Sequence, residues 1–386
     1  MKKFLAAIAI LLIAALVYAH WFLPARVEGG QNLTRPHNPW PVSDGAAALH
    51  QTLFIADLHS DSLLWKRNFL KESAVGHMDL PRLQRGNVAL QVFSATTKSP
   101  SGQNYNRNEA ASSDTITQLA VGMFWPPRTW NSLYERAVYQ LEKLHRFAAK
   151  SELTVITTRR EMQELVERRE RGERTVGAIY LIEGAHPLEG DVDKLNQLFD
   201  QGLRIVGLTH FFDNELGGSL HGVSGEGLTE FGRAVIRRAN ELGMIIDIAH
   251  SSPAMVDEVL ELSSSPVILS HGGVKGICDT ARNLSDAQMV RIARHDGILG
   301  VGFWDAAVCD FSPAGVAKAM RYAVDLMGIE NVALGSDYDG ATEVLFDVGE
   351  LAALTEALMQ QSFSEGDIRL LMGENVKRFL LENLPD

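Results

Sequence analysis

The chain has 386 residues, a formal net charge of −12 and a pI near 5.5, an acidic balance that excludes a surface built to hold phosphate backbones, which needs clustered Lys and Arg. With 46% hydrophobic and 22% charged residues it can bury a large core. Its two cysteines, Cys278 and Cys309, stand in no metal-binding spacing, which excludes a thiolate metal site and a disulfide framework and leaves open whether the two pair.

In chain order, Lys2 and Lys3 precede an uncharged apolar stretch from Phe4 to Ala19 that runs on through TrpPheLeu to Pro24. Residues 1–24 therefore read as a signal-anchor or signal peptide, since about 20 apolar residues cross a bilayer and the lysines keep the N-terminus cytoplasmic. The expectation is a single-pass membrane anchor with everything after it periplasmic or extracellular, or a secreted domain if the segment is cleaved. Residues 25–45, rich in Gly, Pro and Asn, read as a linker.

From 46 to 386, apolar runs of strand length fall at 53–58, 88–94, 176–182, 203–209, 244–249, 266–270, 298–303 and 332–336. Helical patterns lie between most of them, among them 193–201, 229–242, 253–262, 285–295 and 314–327, several opening on Ser, Thr, Asp or Pro as helix starts do. Strands alternating with helices in this number predict an α/β fold, a (β/α)8 TIM-type barrel whose active site lies at the carboxyl ends of the strands. An insertion at about 96–150, with a helix near 131–149, reads as a lid or rim, and a charged, solvated helix is expected near 159–171.

Seven residues able to hold a metal or move a proton follow these apolar runs: His59 and Asp61, Glu183, His210, His250, His271 and Asp337. A buried parallel strand is a continuous apolar run, and the polar residue that ends it is delivered to the carboxyl edge. Taken singly, each has a plain reading, Glu183 as a helix cap and His250 or His271 as a hydrogen-bonded core histidine. Independent structural histidines would not collect at one end of separate strands, so the set predicts a site for a divalent ion. Asp57, Asp247 and Asp339 read as groups that orient the ligands. His77, His145 and His295 read as surface or packing residues.

HisSerAsp at 59–61, GluGly at 183–184, LeuThrHis at 208–210, AspIleAlaHis at 247–250, SerHis at 270–271, ArgAsn at 282–283 and GlySerAspTyrAspGly at 335–340 resemble the membrane (renal-type) dipeptidases, peptidase family M19 of the amidohydrolase barrels. GlyLeuThrGluPheGly at 227–232 and GlyGluAsnValLysArgPhe at 373–379 extend the likeness over about 50–386. Two departures, Ala249 in place of Ser and GlyGlyValLys at 272–275 in place of a SerSerAlaArg-like segment, leave the ligand positions intact and bear on substrate preference.

The resemblance implies two zinc ions, other divalent metals being alternatives, with His59 and Asp61 on one, His250 and His271 on the other, and Glu183 bridging. It implies a zinc-dependent dipeptidase in which a shared, metal-activated water attacks the peptide bond. Asp337 would shuttle the proton, His210 would stabilise the oxyanion, and Arg282 would hold the substrate's free carboxylate. The same-fold alternative is an amidohydrolase acting on N-acyl amino acids or lactams. The different-class alternative is a metal-free binding protein on a barrel scaffold. Expected partners are a small peptide substrate, the membrane through the N-terminal segment and, for self-association, a homodimer; nucleic acid is not among them.

Overall fold

Buried parallel strands need both faces covered, and the apolar runs meet that need by closing on themselves. In the computed structural model, which describes residues 2–386, eight strands form a parallel barrel: β1 (Ile55–Asp57), β2 (Val88–Thr96), β3 (Val176–Glu183), β4 (Leu203–Gly207), β5 (Ile245–Asp247), β6 (Val267–Gly272), β7 (Ile298–Val301) and β8 (Val332–Leu334). Each strand pairs with the next, and β8 returns to β1 through Leu334 and Asp57. The barrel expected from the sequence is present.

Alternation along the strands divides the core in two. Ile179 and Leu181 of β3 join Leu90, Val92, Ile205, Ile268 and Ile298 in one apolar cluster, which the C-terminal helix Asn375–Asn383 closes with Val376, Phe379 and Leu380. Tyr180 and Ile182 join the other cluster, shared with the surrounding helices, and the Tyr180 hydroxyl donates to Ala137 O on helix Leu133–Ala148. The helices start where their caps dictate. Thr229 accepts from Gly232 N ahead of Glu230–Leu242, and Ser285 with Gln288 forms a capping box ahead of Asp286–Arg294.

The segment at 96–150 divides into two parts. Helix Leu133–Ala148 packs against the barrel as an ordinary connecting helix, whereas the stretch before it, with helix Thr115–Gly122, rims the barrel mouth. A further strand, Leu153–Val155, pairs with the start of β3. Helix Arg159–Glu170 is charged as expected but buries Met162 and Leu165 in the cluster that closes the barrel.

The N-terminal region departs most from expectation. Residues Lys2–Trp21 are helical, and Phe4, Leu5, Ile10 and Leu11 are exposed on them. Among the described residues no helix is long and apolar enough to cross a membrane, so the expected spanning segment is not shown. The stretch read as a linker is not an irregular tether. Helix Leu23–Gln31 lies there, Leu33–Thr34 pairs in parallel with Glu343–Val344, and helix Asp44–His50 starts at the Ser43 cap. The Gly and Pro content suggested a loop, yet Pro24 occupies the first helical turn, where a missing N–H is tolerated.

Candidate active site

Glu183 closes β3 on the face it shares with Ile179 and Leu181, so the period of two that fills the barrel with apolar side chains also aims this carboxylate up its axis. Its Oε1 lies 3.5 Å from His59 Nε2, 3.2 Å from His250 Nε2 and 3.4 Å from His271 Nε2. Its Oε2 lies 3.4 Å from His210 Nε2 and accepts from Thr96 Oγ1 at 2.8 Å. On the side of β1, His59 Nε2 is 3.8 Å from Asp61 Oδ2 and 4.0 Å from Asp337 Oδ1. All seven strand-end residues thus meet in one buried place.

These separations fit a shared cation. Two ligand atoms each about 2.1 Å from one tetrahedral zinc stand about 3.4 Å apart. Three sets place one ligand atom each within 4.8 Å of the others: His59, Glu183 and His271; Glu183, His210 and His250; and His59, Asp61 and Asp337. His59 Nε2 is fully buried and has no hydrogen-bond partner, an arrangement costly for a polar atom unless something else binds there.

The electrostatics describe a centre short of positive charge. Burial works against protonated His59, but Glu183, Asp61 and Asp337 outweigh it and lift the imidazole to about 10. Burial, with Asp61 and Glu183 adding, pushes the Asp337 carboxyl well above the ordinary carboxylate range. Burial opposes ionised Glu183 too, yet His210 and His59 hold it below its usual value. Burial, followed by nearby cationic groups, keeps His250 and His271 well below the ordinary imidazole range, as neutral nitrogen ligands. These shifts mark a buried carboxylate and imidazole cluster that lacks the positive charge a divalent cation would supply.

A profile of the membrane dipeptidase family, peptidase family M19, matches residues 43–383. The chain belongs to this family. It is similar to an uncharacterized dipeptidase of Schizosaccharomyces pombe, 25% identical over 354 residues that cover 88% of this chain and 80% of that one. It is likewise similar to the dipeptidase aclJ of Aspergillus oryzae, 25% identical over 355 residues covering 84% and 77%. Among solved structures, a family M19 metallopeptidase named dipeptidase AC superposes with a TM-score of 0.68 at 26% identity, over 86% of this chain and 99% of that one. A metallopeptidase of Rhodobacter sphaeroides, solved with a phosphinate mimic of the dipeptide L-Ala-D-Ala, gives 0.67 at 26% identity over the same shares.

The remaining groups of this M19 metallo-dipeptidase are set by a layer of hydroxyls and carboxylates. Ser270 Oγ donates to Asp247 Oδ2 at 2.6 Å and has its lone pairs left for His59 Nδ1 at 3.2 Å and His271 Nδ1 at 2.9 Å. One hydroxyl has one proton, so both imidazoles donate to it from Nδ1 and aim their Nε2 atoms toward Glu183. Asp247 and Asp57 thus act as supports of the ligands, whereas Asp339 binds Ser62, Arg67 and His77. Asp57 accepts from Ser336 Oγ at 2.5 Å and from His59 N at 3.3 Å. Asp339 Oδ1 accepts from His77 N at 2.6 Å. Thr96, beside Glu183 in the β2–β3 register, also reaches Asp61 Oδ1 at 2.9 Å. Thr96 belongs to no motif and was missed in the sequence, and Ser270 stood there only as the neighbour of His271; the contacts across the strand ends reveal their roles.

Arg282 lies in the loop after β6, 2% exposed, donating from Nη2 to His271 O at 2.6 Å with its guanidinium 5.5 Å from the Trp304 ring centre. Its Nε is buried without a partner. Cys278 and Cys309 are disulfide-bonded, and the bond ties this loop to the one after β7; Asn283 Nδ2 adds bonds to Cys278 O and Ala307 O. The departure at 272–275 has a cause here. A Cβ on Gly273 would lie 1.9 Å from Ala307 O, so only glycine admits this approach of the two loops. His210 Nδ1 lies 3.1 Å from Lys98 O, a carbonyl that only accepts, so Nδ1 carries the proton. Of the eight site residues expected from the sequence, Asp61, Glu183, His210, His250, His271, Arg282 and Asp337 line one cavity of about 970 Å³, and His59 meets them through Glu183; Asp337 comes within 4.0 Å of His59, as Asp61 does within 3.8 Å.

Proposed function

We propose that this dipeptidase works with two divalent ions, zinc foremost, held by His59, Asp61, Glu183, His250 and His271. The observation that carries this reading is the convergence of three imidazole Nε2 atoms on Glu183 Oε1, with His59 Nε2 buried and unpartnered. When bound, the ions would lower the pKa of a shared water and polarise the scissile carbonyl.

The chain's own residues supply the rest. Asp337, held protonated-prone by burial, takes the proton from the attacking water and returns it to the leaving amine. His210, with Nδ1 donating to Lys98 O, turns Nε2 into the site beside Glu183, where a proton on that atom would be offered to the developing oxyanion. Among the described residues no side-chain anion pairs with Arg282, which holds the substrate's free carboxylate, with Trp304 covering its face.

A panel tests the reading: free dipeptides including L-Ala-D-Ala, the ligand mimicked in the Rhodobacter relative, against N-acyl amino acids and lactams. Turnover of dipeptides that stops on chelation and returns with zinc supports it. Preferential turnover of N-acyl amino acids would move the assignment to the alternative amidohydrolase, and light scattering on the same preparation reads the expected homodimer.

We infer further that the domain is exported and held at the membrane by its N-terminal helix. Lys2 and Lys3 at the start of a helix with exposed Phe4, Leu5, Ile10 and Leu11 support attachment, and the Cys278–Cys309 disulfide suits an oxidising compartment. Membrane fractions should retain the full chain after a salt wash, and protease added to spheroplasts should reach the barrel. A barrel protected from that protease would reverse the orientation.

A further inference from the structure

The family match begins at residue 43, yet the wall of the active-site cavity does not. Leu23, Pro24, Val27 and Gln31, all on helix Leu23–Gln31, line the same cavity as Glu183, His210 and Arg282. This wall therefore lies outside the residues matched to the family.

The helix is fastened in place. Glu28, only 1% exposed, accepts from Arg67 Nε at 2.5 Å, and Arg67 also donates to Asp339 Oδ2 and to Met78 O. Asn32 Oδ1 then accepts from Ala341 N at 2.9 Å, and Leu33–Thr34 extends the contact by pairing with Glu343–Val344. The loops after β1 and β8, which carry Asp61 and Asp337, thus share one buried ionic clamp with the N-terminal helix. Breaking such a clamp at one partner leaves a buried charge uncompensated.

The two ends of the cavity differ in chemistry. Arg282 and Trp304 follow β6 and β7. Leu64 and Trp65 follow β1, and Ile116 and Met123 follow β2, four strands round the ring from β6. These four side chains form one apolar cluster, against which Val27 and Leu119 pack. The cavity, about 970 Å³, stands at the upper end of the roughly 300–1,000 Å³ range of pockets that enclose drug-sized ligands. A dipeptide anchored by its carboxylate at Arg282 would have its amino-terminal residue on the far side of Glu183, where the apolar end lies.

We propose that helix Leu23–Gln31 closes an apolar subsite for the side chain of the substrate's amino-terminal residue, so that the enzyme selects dipeptides in which that residue is large and apolar. The proposal rests on the carboxylate-anchoring role of Arg282. The full-length, zinc-loaded enzyme is assayed with Gly-Ala, Ala-Ala, Leu-Ala and Phe-Ala. From Ala-Ala to Leu-Ala, kcat/KM should rise on the order of tenfold or more as three further apolar carbons are buried. Val27→Asp, which sets a carboxylate in the wall, should bring the Leu/Ala ratio close to one. Val27→Phe, which fills the space, should invert the ratio in favour of Ala-Ala. A wild-type ratio near one, or a ratio unchanged in Val27→Phe, overturns the proposal. A failure of the Arg282 role registers separately, as equal turnover of dipeptides and their amides.

Discussion

The Nε2 atoms of His250 and His271 lie 2.9 Å apart, each facing Glu183 Oε1. Without a cation one nitrogen must donate to the other, which forces a proton onto a position where a metal ligand needs a lone pair. Metal binding should therefore release protons. Active protein is expected to hold close to two ions per chain by elemental analysis, and His271→Ala to hold about one with its activity lost. No more than one ion in fully active wild type would sink the binuclear reading.

Ser270 sets the tautomers of His59 and His271 through its bond to Asp247. Ser270→Ala removes that acceptor, and metal affinity should weaken by on the order of 10–100-fold, the usual effect of losing a group behind a ligand. Competition with a chromophoric chelator measures this independently of turnover. Ser270→Thr, which keeps the hydroxyl, should recover part of the affinity.

Asp337 is expected to move protons more than to hold metal. Asp337→Asn should lower kcat by about 10²-fold or more while metal content stays near wild type. Because Asp337 lies within reach of His59 and Asp61, a parallel loss of metal would place it in the ligand set.

Amidated dipeptides leave Arg282 with no anion to pair, and kcat/KM for them should fall on the order of 10²-fold or more below the free acids. Arg282→Met should erase most of that difference, since both substrates then meet an uncharged wall. Steady-state kinetics on matched acid and amide pairs decide the matter.

Outside the site, His50 is 1% exposed, its ring bonded to Thr355 Oγ1 and Gly86 O, and burial lowers its pKa from 6.5 to about 4. The unfolded chain takes up a proton near 6.5 while the folded one refuses it, so this stability is complete above pH 6.5 and is lost as the pH falls toward 4. The loss from this one group is on the order of 3 kcal/mol. Urea midpoints of metal-stripped protein between pH 7 and 4.5 should fall steeply, and less steeply in His50→Gln. Equal slopes would remove His50 from the acid response.

The barrel was legible because a buried parallel strand cannot hide its composition: the run predicted at 176–182 is β3 at Val176–Glu183, and that at 53–58 contains β1 at Ile55–Asp57. Helix Asp193–Gln201 was legible to the residue, ending at Gly202 in the left-handed conformation. Helix Leu23–Gln31 was not, because its support is a clamp to Arg67 and Asp339 far along the chain, which no local pattern records. The strand-end histidines and carboxylates stood out by type. Ser270 and Thr96 act through a hydroxyl that any strand residue could carry, and the Cys278–Cys309 pair depends on two loops meeting above β6 and β7.

His250 and Asp337 both hold backbone angles that suit glycine, with φ of 61° and 60°. A side chain in that conformation costs about 1–3 kcal/mol and persists only where the surroundings impose it. Glycine at either position would relax the main chain, so a lineage propagated for heat resistance alone, with no substrate to process, would be rewarded for discarding an imidazole or a carboxylate here. Such a lineage would drift toward a hardier and inert barrel. The two residues stand against the grain of the fold, at positions where the cavity is lined by an imidazole and a carboxylate.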